Sequence, residues 1–250
     1  MITCDPLATL DQVERAVTAN PQAATVLTDL LRWSGRLPVK EALEAESLAY
    51  STLLAGPEFA RWLRGRPARR PRAAQGDPVI IDRDDSTLTI TLNRPDHRNA
   101  FGRELRSGLF AALGLARHAG LKVVLQGKGP SFCSGGDLDE FGSAPDPVTA
   151  HLIRVKASPA LLMHALGDQI EVRVHGPCVG AGVELPAFAG TVSAADGTVF
   201  RLPELSLGLI PGAGGTVSLP RRIGRWRTLY LALTGQNLDL TTARAWGLAD

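Results

Sequence analysis

The sequence predicts an α/β fold preceded by an all-helical segment, and three observations support this prediction. Short apolar stretches such as residues 121–125 and 170–174 recur, and each precedes a glycine-containing turn and then a helical pattern. Such repeats imply parallel strands joined by helical crossovers. The first 64 residues carry only helical periodicity. A stretch rich in proline and arginine separates the two parts, so we expect a helical unit at residues 1–64, a basic linker at 65–78 and a core at 79–250.

Composition excludes several classes of protein. Of the 250 residues, 44% are hydrophobic and 21% are charged, which are ordinary globular values, and the net charge of +2 is too small to indicate a partner. The three cysteines have no zinc-site or redox-pair spacing. The start of the chain does not resemble a signal peptide, and no run of about 18 apolar residues occurs. We expect a cytoplasmic protein with no metal site and no membrane segment.

The N-terminal helices are predicted from start and stop signals. Asn20 followed by Pro21 is typical of a side-chain cap and a first helical residue, and Gly35 ends that helix. Apolar residues at helical spacing predict the next helix over residues 39–54, and another follows the Gly56-Pro57 break.

The core elements alternate between strand and helix. Residues 79–82 and 88–92 predict paired strands around a turn at Asp84 and Asp85. The remaining expected elements, in chain order, are a helix at 102–118, a strand at 121–125, a single helix at 147–166, a strand at 170–174, strands at 192–194 and 198–200 that continue the same sheet, and a basic helical region near 221–227.

Two glycine-containing turns and two carboxylates point to chemistry. The turns are Ser134-Gly135-Gly136-Asp137 and Gly180-Ala181-Gly182, and backbone N-H groups at such turns can hold negative charge. Glu184 and Glu204 lie among apolar residues and glycines, where a carboxylate is costly unless it is paired or its pKa is shifted. This combination indicates acid and base chemistry beside an oxyanion hole.

Five segments carry a family resemblance: LTITLNRPDHRNAF, VVLQGKGPSFCSGGDLDEF, VHGPCVGAGVEL, FRLPELSLGLIPGAGGTVSLPRRIG and LTGQNLDLTTARAWGLAD. Together they resemble the crotonase, or enoyl-CoA hydratase/isomerase, superfamily. The resemblance implies a crotonase-like spiral of repeated ββα units that binds an acyl-CoA thioester and assembles as a homotrimer or hexamer. Its oxyanion hole would use the N-H groups of Gly136 and Ala181. Glu184 would activate water and Glu204 would deliver a proton.

The resemblance also implies where coenzyme A binds. His97, Arg98 and Ala100 match the positions that wrap the adenine and phosphates, beside the turn formed by Ser134, Gly135 and Asp137, with Gly180 in the second turn. Coenzyme A would enter as part of the substrate, and no separate cofactor is expected. The alternative is that residues 97–100 form an ordinary turn and that Asp137 is a structural cap.

The N-terminal segment resembles the family's usual C-terminal helices. ANPQAATVLTDLLRWSG and LEAESLAYSTLLAGPEFARWLRGRPARRP match the two regions that cover the acyl pocket. We therefore hypothesise a circular permutation, in which the helical cap precedes the core and the arginines between residues 64 and 72 approach the coenzyme phosphates. A solvated linker and an unrelated N-terminal extension are the alternatives.

The first functional hypothesis is a hydratase that adds water to a 2-enoyl-CoA thioester. The same fold and oxyanion hole would also serve a double-bond isomerase, a decarboxylase or a thioester hydrolase. A hypothesis of another class is a non-catalytic protein that binds nucleic acid through the arginine patch of Arg61, Arg64, Arg66, Arg69, Arg70 and Arg72. No aromatic residues alternate with these arginines after Trp62, which argues against nucleic acid as a partner.

Overall fold

The computed structural model of the protein describes residues 6–66 and 76–250. In these residues the helices are α1 Pro6–Ala19, α2 Pro21–Trp33, α3 Val39–Leu54, α4 Pro57–Arg64, α5 Arg103–Ala119, α6 Pro147–Lys156, α7 Pro159–Leu166, α8 Ala181–Glu184, α9 Gly215–Ile223, α10 Arg225–Thr234 and α11 Leu240–Trp246. The strands are β1 Val79–Arg83, β2 Thr87–Leu92, β3 Lys122–Gly127, β4 Ile170–Val174, β5 Pro177–Val179, β6 Thr191–Ala194, β7 Val199–Arg201 and β8 Leu238–Asp239. Most of the predicted linker, with Arg69, Arg70 and Arg72, lies outside the described residues.

The main sheet contains five strands in the order β1-β2-β3-β4-β6. β1 runs antiparallel to β2 and the remaining pairs are parallel, as the repeating pattern predicted. Leu88 and Ile90 on β2 lie opposite Val123 and Leu125 on β3, and none of the four is more than 1% exposed. Apolar runs of this kind are typical of parallel strands covered on both faces.

The prediction that residues 198–200 continue the main sheet is wrong. These residues fall in or next to β7, which belongs to a second sheet in the order β5-β7-β8. The chain leaves the main sheet at Gly176, which has φ +58 and whose carbonyl accepts a hydrogen bond from the Val199 N-H at 3.2 Å. β7 therefore pairs with β5, and the Gly180 N-H donates to the Arg201 carbonyl at 2.9 Å. The turn after β5 and the turn after β7 consequently lie side by side.

The predicted single helix over residues 147–166 is two helices, α6 and α7. The break falls at Ser158, whose hydroxyl accepts a hydrogen bond from the Leu161 N-H at 3.3 Å, and Pro159 begins α7. A proline has no N-H to donate to the preceding turn and suits the first turn of a new helix. The break allows α6 to pack on α3 while α7 packs on α5.

The N-terminal helices pack against the core. α1 contacts α10, α2 contacts α9 and α10, and α3 contacts α6 and α9. Leu27 and Leu30 of α2 are at most 2% exposed and belong to the same hydrophobic cluster as the main sheet. The helices α1–α4, called the helical cap below, therefore share a core with the strands.

The predicted side-chain cap at Asn20 is wrong, although Pro21 does begin α2. The Asn20 side chain makes no cap hydrogen bond and instead accepts one from Arg61 Nη2 at 2.8 Å. The first N-H groups of α2, at Gln22 and Ala23, donate to the buried Glu58 carboxylate at 2.8 and 3.0 Å. The residue that satisfies this helix start comes from α4, so neighbouring sequence could not reveal it.

The basic patch is partly engaged within the chain. Arg66 forms an ion pair with Asp139 at 3.0 Å and lies 5.1 Å from the ring centroid of Trp62, while Arg61 binds the Ala19 carbonyl at 2.7 Å. These contacts leave less of the patch for nucleic acid. Across the described ranges, no helix is both long and apolar enough to cross a membrane.

One buried carboxylate joins the helical cap to the core. Glu46 of α3 is 2% exposed. It accepts hydrogen bonds from the Gly214 N-H at 2.7 Å, the Thr216 N-H at 2.9 Å and the Thr216 hydroxyl at 2.6 Å. These donors lie at the start of α9, where backbone N-H groups have no acceptor within the helix.

We expect Glu46→Ala to lower the free energy of unfolding by about 3 kcal/mol, because buried donors lose their charged acceptor. Urea denaturation followed by circular dichroism measures the change. The control is Glu41→Ala on the exposed side of α3, which should cost under about 1 kcal/mol. Equal losses in the two variants would contradict this view of the contact.

Candidate active site

A cavity of about 820 Å³ lies between the helical cap and the core. α3 and α4 line one side, and α6, the start of α5 and the turns after β3 and β5 line the others. Both predicted catalytic residues, Glu184 and Glu204, and both predicted oxyanion residues, Gly136 and Ala181, border this cavity. The folding of the chain therefore brings together residues from three separate segments of the sequence, around positions 136, 181–184 and 204.

The carboxylate of Glu184 is fixed by the start of α9. Glu184 ends α8 and is 2% exposed. Its Oε2 accepts hydrogen bonds from the Ala213 N-H at 2.7 Å and the Gly215 N-H at 2.9 Å. A Cβ atom at Gly215 would lie 2.6 Å from Glu184 Cγ. Glycine at this position is thus what lets the backbone approach the carboxylate.

Glu204 lies in the short 3-10 turn that follows β7. A Cβ atom at Gly180 would overlap Glu204 Oε1, and Gly180 has φ +49, which favours glycine. Glu204 Oε2 is buried and has no hydrogen-bond partner in the described residues. An unsatisfied buried carboxyl oxygen is costly and is more easily tolerated when it carries a proton.

The pKa values of both carboxyl groups are raised. Burial raises the pKa of Glu184 well above its ordinary value, the nearby carboxylates of Glu204 and Glu46 raise it further, and the Ala213 and Gly215 N-H groups oppose the rise. Burial also raises the pKa of Glu204 to about 7, against its own backbone N-H and Arg201. Neighbouring carboxyl groups titrate as a coupled set, so a proton on one of them makes ionisation of the other easier.

The two glycine-containing turns lie against each other. The Val179 N-H donates to the Cys133 carbonyl at 3.0 Å, and a Cβ atom at Gly135 would lie 3.2 Å from the Val179 carbonyl oxygen. The N-H groups of Gly136 and Ala181 donate to no acceptor in the described parts of the chain. These two donors are available to a ligand in the cavity.

The other predicted ligand-binding residues cluster behind the first turn. The Ser134 N-H donates to the Arg98 carbonyl at 3.0 Å, which sets Ser134 beside the loop that contains His97 and Ala100. The buried Asn99 side chain fixes this loop. It accepts a hydrogen bond from the Arg94 N-H and donates hydrogen bonds to the Lys128 and Ser131 carbonyls. Of the predicted coenzyme-binding residues, Asp137 borders the cavity, whereas His97, Arg98, Ala100, Ser134, Gly135 and Gly180 do not.

Asp137 also has a local structural role. Its Oδ1 accepts a hydrogen bond from the Asp139 N-H at 3.0 Å and caps the short turn Leu138–Glu140. Asp137 is therefore a structural cap, as the alternative to a coenzyme-binding role predicted.

Four cavity residues were not anticipated from the sequence: Glu46, Tyr50, Arg106 and Arg154. Burial raises the pKa of Glu46 to about 7, while Thr216, Gly214 and Arg154 oppose the rise. Glu46 lies three residues after Leu43 and four before Tyr50, on the apolar side of α3. A charge within an apolar helical stripe was the signal that could have identified it.

Comparisons with known proteins identify the family. Residues 82–250 match the model of the family described as Enoyl-CoA hydratase/isomerase, so α1–α4 lie outside the matched segment. A probable enoyl-CoA hydratase of Rhodobacter capsulatus is 36% identical over 165 residues, which cover 66% of this chain and 64% of that one. A 1,2-epoxyphenylacetyl-CoA isomerase of Escherichia coli is 34% identical over 177 residues, 68% of this chain and 67% of the relative.

Solved structures agree with this match. The crystal structure of an enoyl-CoA hydratase-like protein of Thermobifida fusca in complex with CoA has a TM-score of 0.62 and 31% identity, over 70% of this chain and 71% of that one. The chain spans about two thirds of the length of the curated relatives that it matches. The fold prediction is confirmed, and the chain belongs to the enoyl-CoA hydratase/isomerase family of the crotonase superfamily.

Proposed function

We propose that the protein adds water to the double bond of a 2-enoyl-CoA thioester, or catalyses the reverse dehydration. The observation that carries this proposal is that two buried carboxyl groups, Glu184 and Glu204, border one cavity with the unengaged N-H groups of Gly136 and Ala181. Hydration needs a base, an acid and donors for an enolate oxygen, and this set of groups can supply all three.

In the proposed reaction the thioester oxygen accepts hydrogen bonds from Gly136 and Ala181. Glu184 removes a proton from water as the water oxygen bonds to the β-carbon, and electrons move onto the thioester oxygen. As the enolate collapses, Glu204 gives its proton to the α-carbon. Negative charge on the thioester oxygen develops in the transition state and is absent from the substrate, so the two N-H donors stabilise the transition state more than the substrate.

Opposing effects act on the protonation of Glu184 and Glu204. Burial and the neighbouring carboxylates favour a proton on Glu184, whereas its two N-H donors favour the ionised form. Glu204 Oε2 has no donor in the described residues. We assign the acidic proton to Glu204 in the reactive state, because two fixed N-H donors stabilise a carboxylate at Glu184 and no donor in the described residues binds Glu204 Oε2.

The coenzyme is proposed to lie against the loop with His97, Arg98 and Ala100 and along the turns that contain Ser134, Gly135, Asp137 and Gly180. The support is the contact between this loop and the first glycine turn, together with the CoA bound by the Thermobifida fusca relative. No cofactor beyond the coenzyme portion of the substrate enters the proposed reaction.

We further propose that the helical cap supplies a wall of the acyl pocket. Its support is that α3 and α4 line the cavity while the family match begins at residue 82. The circular permutation, the trimeric or hexameric assembly and the cytoplasmic location stay predictions.

A double-bond isomerase is the second candidate, because a pair of carboxyl groups can also move a proton between carbons and one relative is named as an isomerase. Product analysis separates the reactions, since hydration of a 2-enoyl thioester yields a 3-hydroxyacyl thioester and isomerisation of a 3-enoyl thioester yields the conjugated isomer.

We expect Glu184→Gln and Glu204→Gln each to lower kcat for hydration of 2-enoyl-CoA by about 10²- to 10⁴-fold, because each removes a proton-transfer group. Loss of absorbance of the conjugated thioester measures the rate. Glu41→Gln, exposed on α3, is the control. A variant of either cavity glutamate that kept the rate of the control would rule out its catalytic role.

The raised pKa of Glu204 predicts a pH-dependent stability. The ionised form is disfavoured in the folded state, so the contribution of Glu204 is fully present below pH 4.5 and is lost as the pH rises to about 7. Relative to Glu204→Gln, the wild type should lose about 3 kcal/mol of unfolding free energy between pH 4.5 and pH 8, at about 1.4 kcal/mol per pKa unit. Urea denaturation at the two pH values measures this. A difference that does not change with pH would show that Glu204 titrates normally.

A further inference from the structure

Two guanidinium groups border the cavity without a carboxylate partner. Arg106 lies on α5 and Arg154 on α6. Neither forms an ion pair within 4.0 Å to any residue in the described ranges. The Arg106 Nε atom is buried and has no hydrogen-bond partner there. Charged groups that are withdrawn from water are normally paired, so these two need an explanation.

The helical cap fixes the direction of Arg154. Its Nε donates to the Ser47 hydroxyl at 3.2 Å, and its Nη2 donates to the Ser47 carbonyl at 3.3 Å and to the Ser51 hydroxyl. The guanidinium carbon lies 4.7 Å from the ring centroid of Tyr50. These neutral contacts orient the guanidinium but leave its charge uncompensated.

Two carboxylates that influence the arginines, those of Glu140 and Glu46, accept hydrogen bonds from other groups. Glu140 raises the pKa of Arg106 and Glu46 raises that of Arg154, so each lies near one guanidinium. However, Glu140 Oε2 accepts a hydrogen bond from the Arg103 N-H at 2.8 Å, and both oxygens of Glu46 accept from Gly214 and Thr216. Burial lowers the pKa of both arginines, and Arg106 lowers that of Arg154 further. The two like charges are therefore partly dehydrated, and both border the same cavity.

We propose that Arg106 and Arg154 form a binding site for a carboxylate at the far end of the substrate's acyl chain, so that the preferred substrate is a 2-enoyl-CoA whose acyl group ends in a second acid. This inference rests on the proposed hydratase function. A guanidinium binds a carboxylate through paired, charge-assisted hydrogen bonds, and a carboxylate between two guanidinium groups would relieve their repulsion.

The position of the arginines favours the acyl end of the substrate over the coenzyme phosphates. The cavity extends from Gly136 and Ala181 toward α3 and α6, and none of His97, Arg98 or Ala100 borders it. The coenzyme is proposed to lie at those three residues, which are not part of the cavity lining. A group that enters the cavity past the thioester is therefore the acyl chain.

The experiment compares hydration of hex-2-enoyl-CoA and oct-2-enoyl-CoA with that of the corresponding 2-enedioyl-CoA thioesters, which carry a terminal carboxylate. We expect wild type to show a kcat/KM about 10- to 100-fold higher for the enedioyl member of at least one pair. Arg106→Met and Arg154→Met should each reduce this preference toward unity. Arg117→Met, exposed near the end of α5, should retain it.

Other results of this experiment distinguish failure of the inference from failure of the hydratase proposal. Equal wild-type rates on both members of each pair overturn this inference and leave the hydratase proposal intact. Hydration of neither member overturns both. The wild-type comparison decides the question even if an arginine variant fails to fold.

The same acyl groups on pantetheine, which lacks the coenzyme phosphates, separate the two sources of negative charge. If the effect of the arginine substitutions disappears on pantetheine thioesters whatever the acyl group, the arginines bind coenzyme phosphate and the inference is overturned.

Discussion

Four consecutive backbone N-H groups, at residues 213–216, are the constraint on which the site depends. They precede or begin α9 and have no acceptor within the helix. Glu184 accepts from the first and third of them, and Glu46 accepts from the second and fourth. Two carboxylates, one from the helical cap and one from the core, thus bind alternate N-H groups of the same turn. The positions of α3, α8 and α9 are coupled through that turn.

This arrangement also governs the charge of the cavity. Glu46, Glu184 and Glu204 border one cavity, where burial raises the pKa of all three carboxyl groups and nearby carboxylates raise those of Glu184 and Glu204 further. The N-H donors oppose that tendency selectively, since they act on Glu184 and Glu46 but not on the free oxygen of Glu204. The hydrogen bonds that position the start of α9 therefore also favour the ionised forms of Glu184 and Glu46. A site that needs one acid and one base is difficult to build from two identical side chains without such an asymmetry.

Local patterns and motifs in the sequence predicted much of this fold, and tertiary packing decided the rest. The helix expected over residues 39–54 matches α3, and Gly136 and Ala181 of the two glycine-containing turns border one cavity with Glu184 and Glu204. The cap at Asn20 failed because Glu58, from another helix, satisfies the start of α2. Arg106 and Arg154 were missed because a charged residue in a helical pattern is normally read as solvent-exposed.

The order of elements along the chain has a consequence for folding. The apolar surfaces of α1 and α2 pack on α9 and α10, and Gln12 bonds the Thr234 carbonyl across 222 positions of sequence. During synthesis these early helices emerge long before their packing partners, so they expose apolar surface while translation continues. Contacts between such distant segments close late and slow the final collapse. The apolar faces of α1 and α2 are therefore covered only after the segment that forms α9 and α10 has been synthesised.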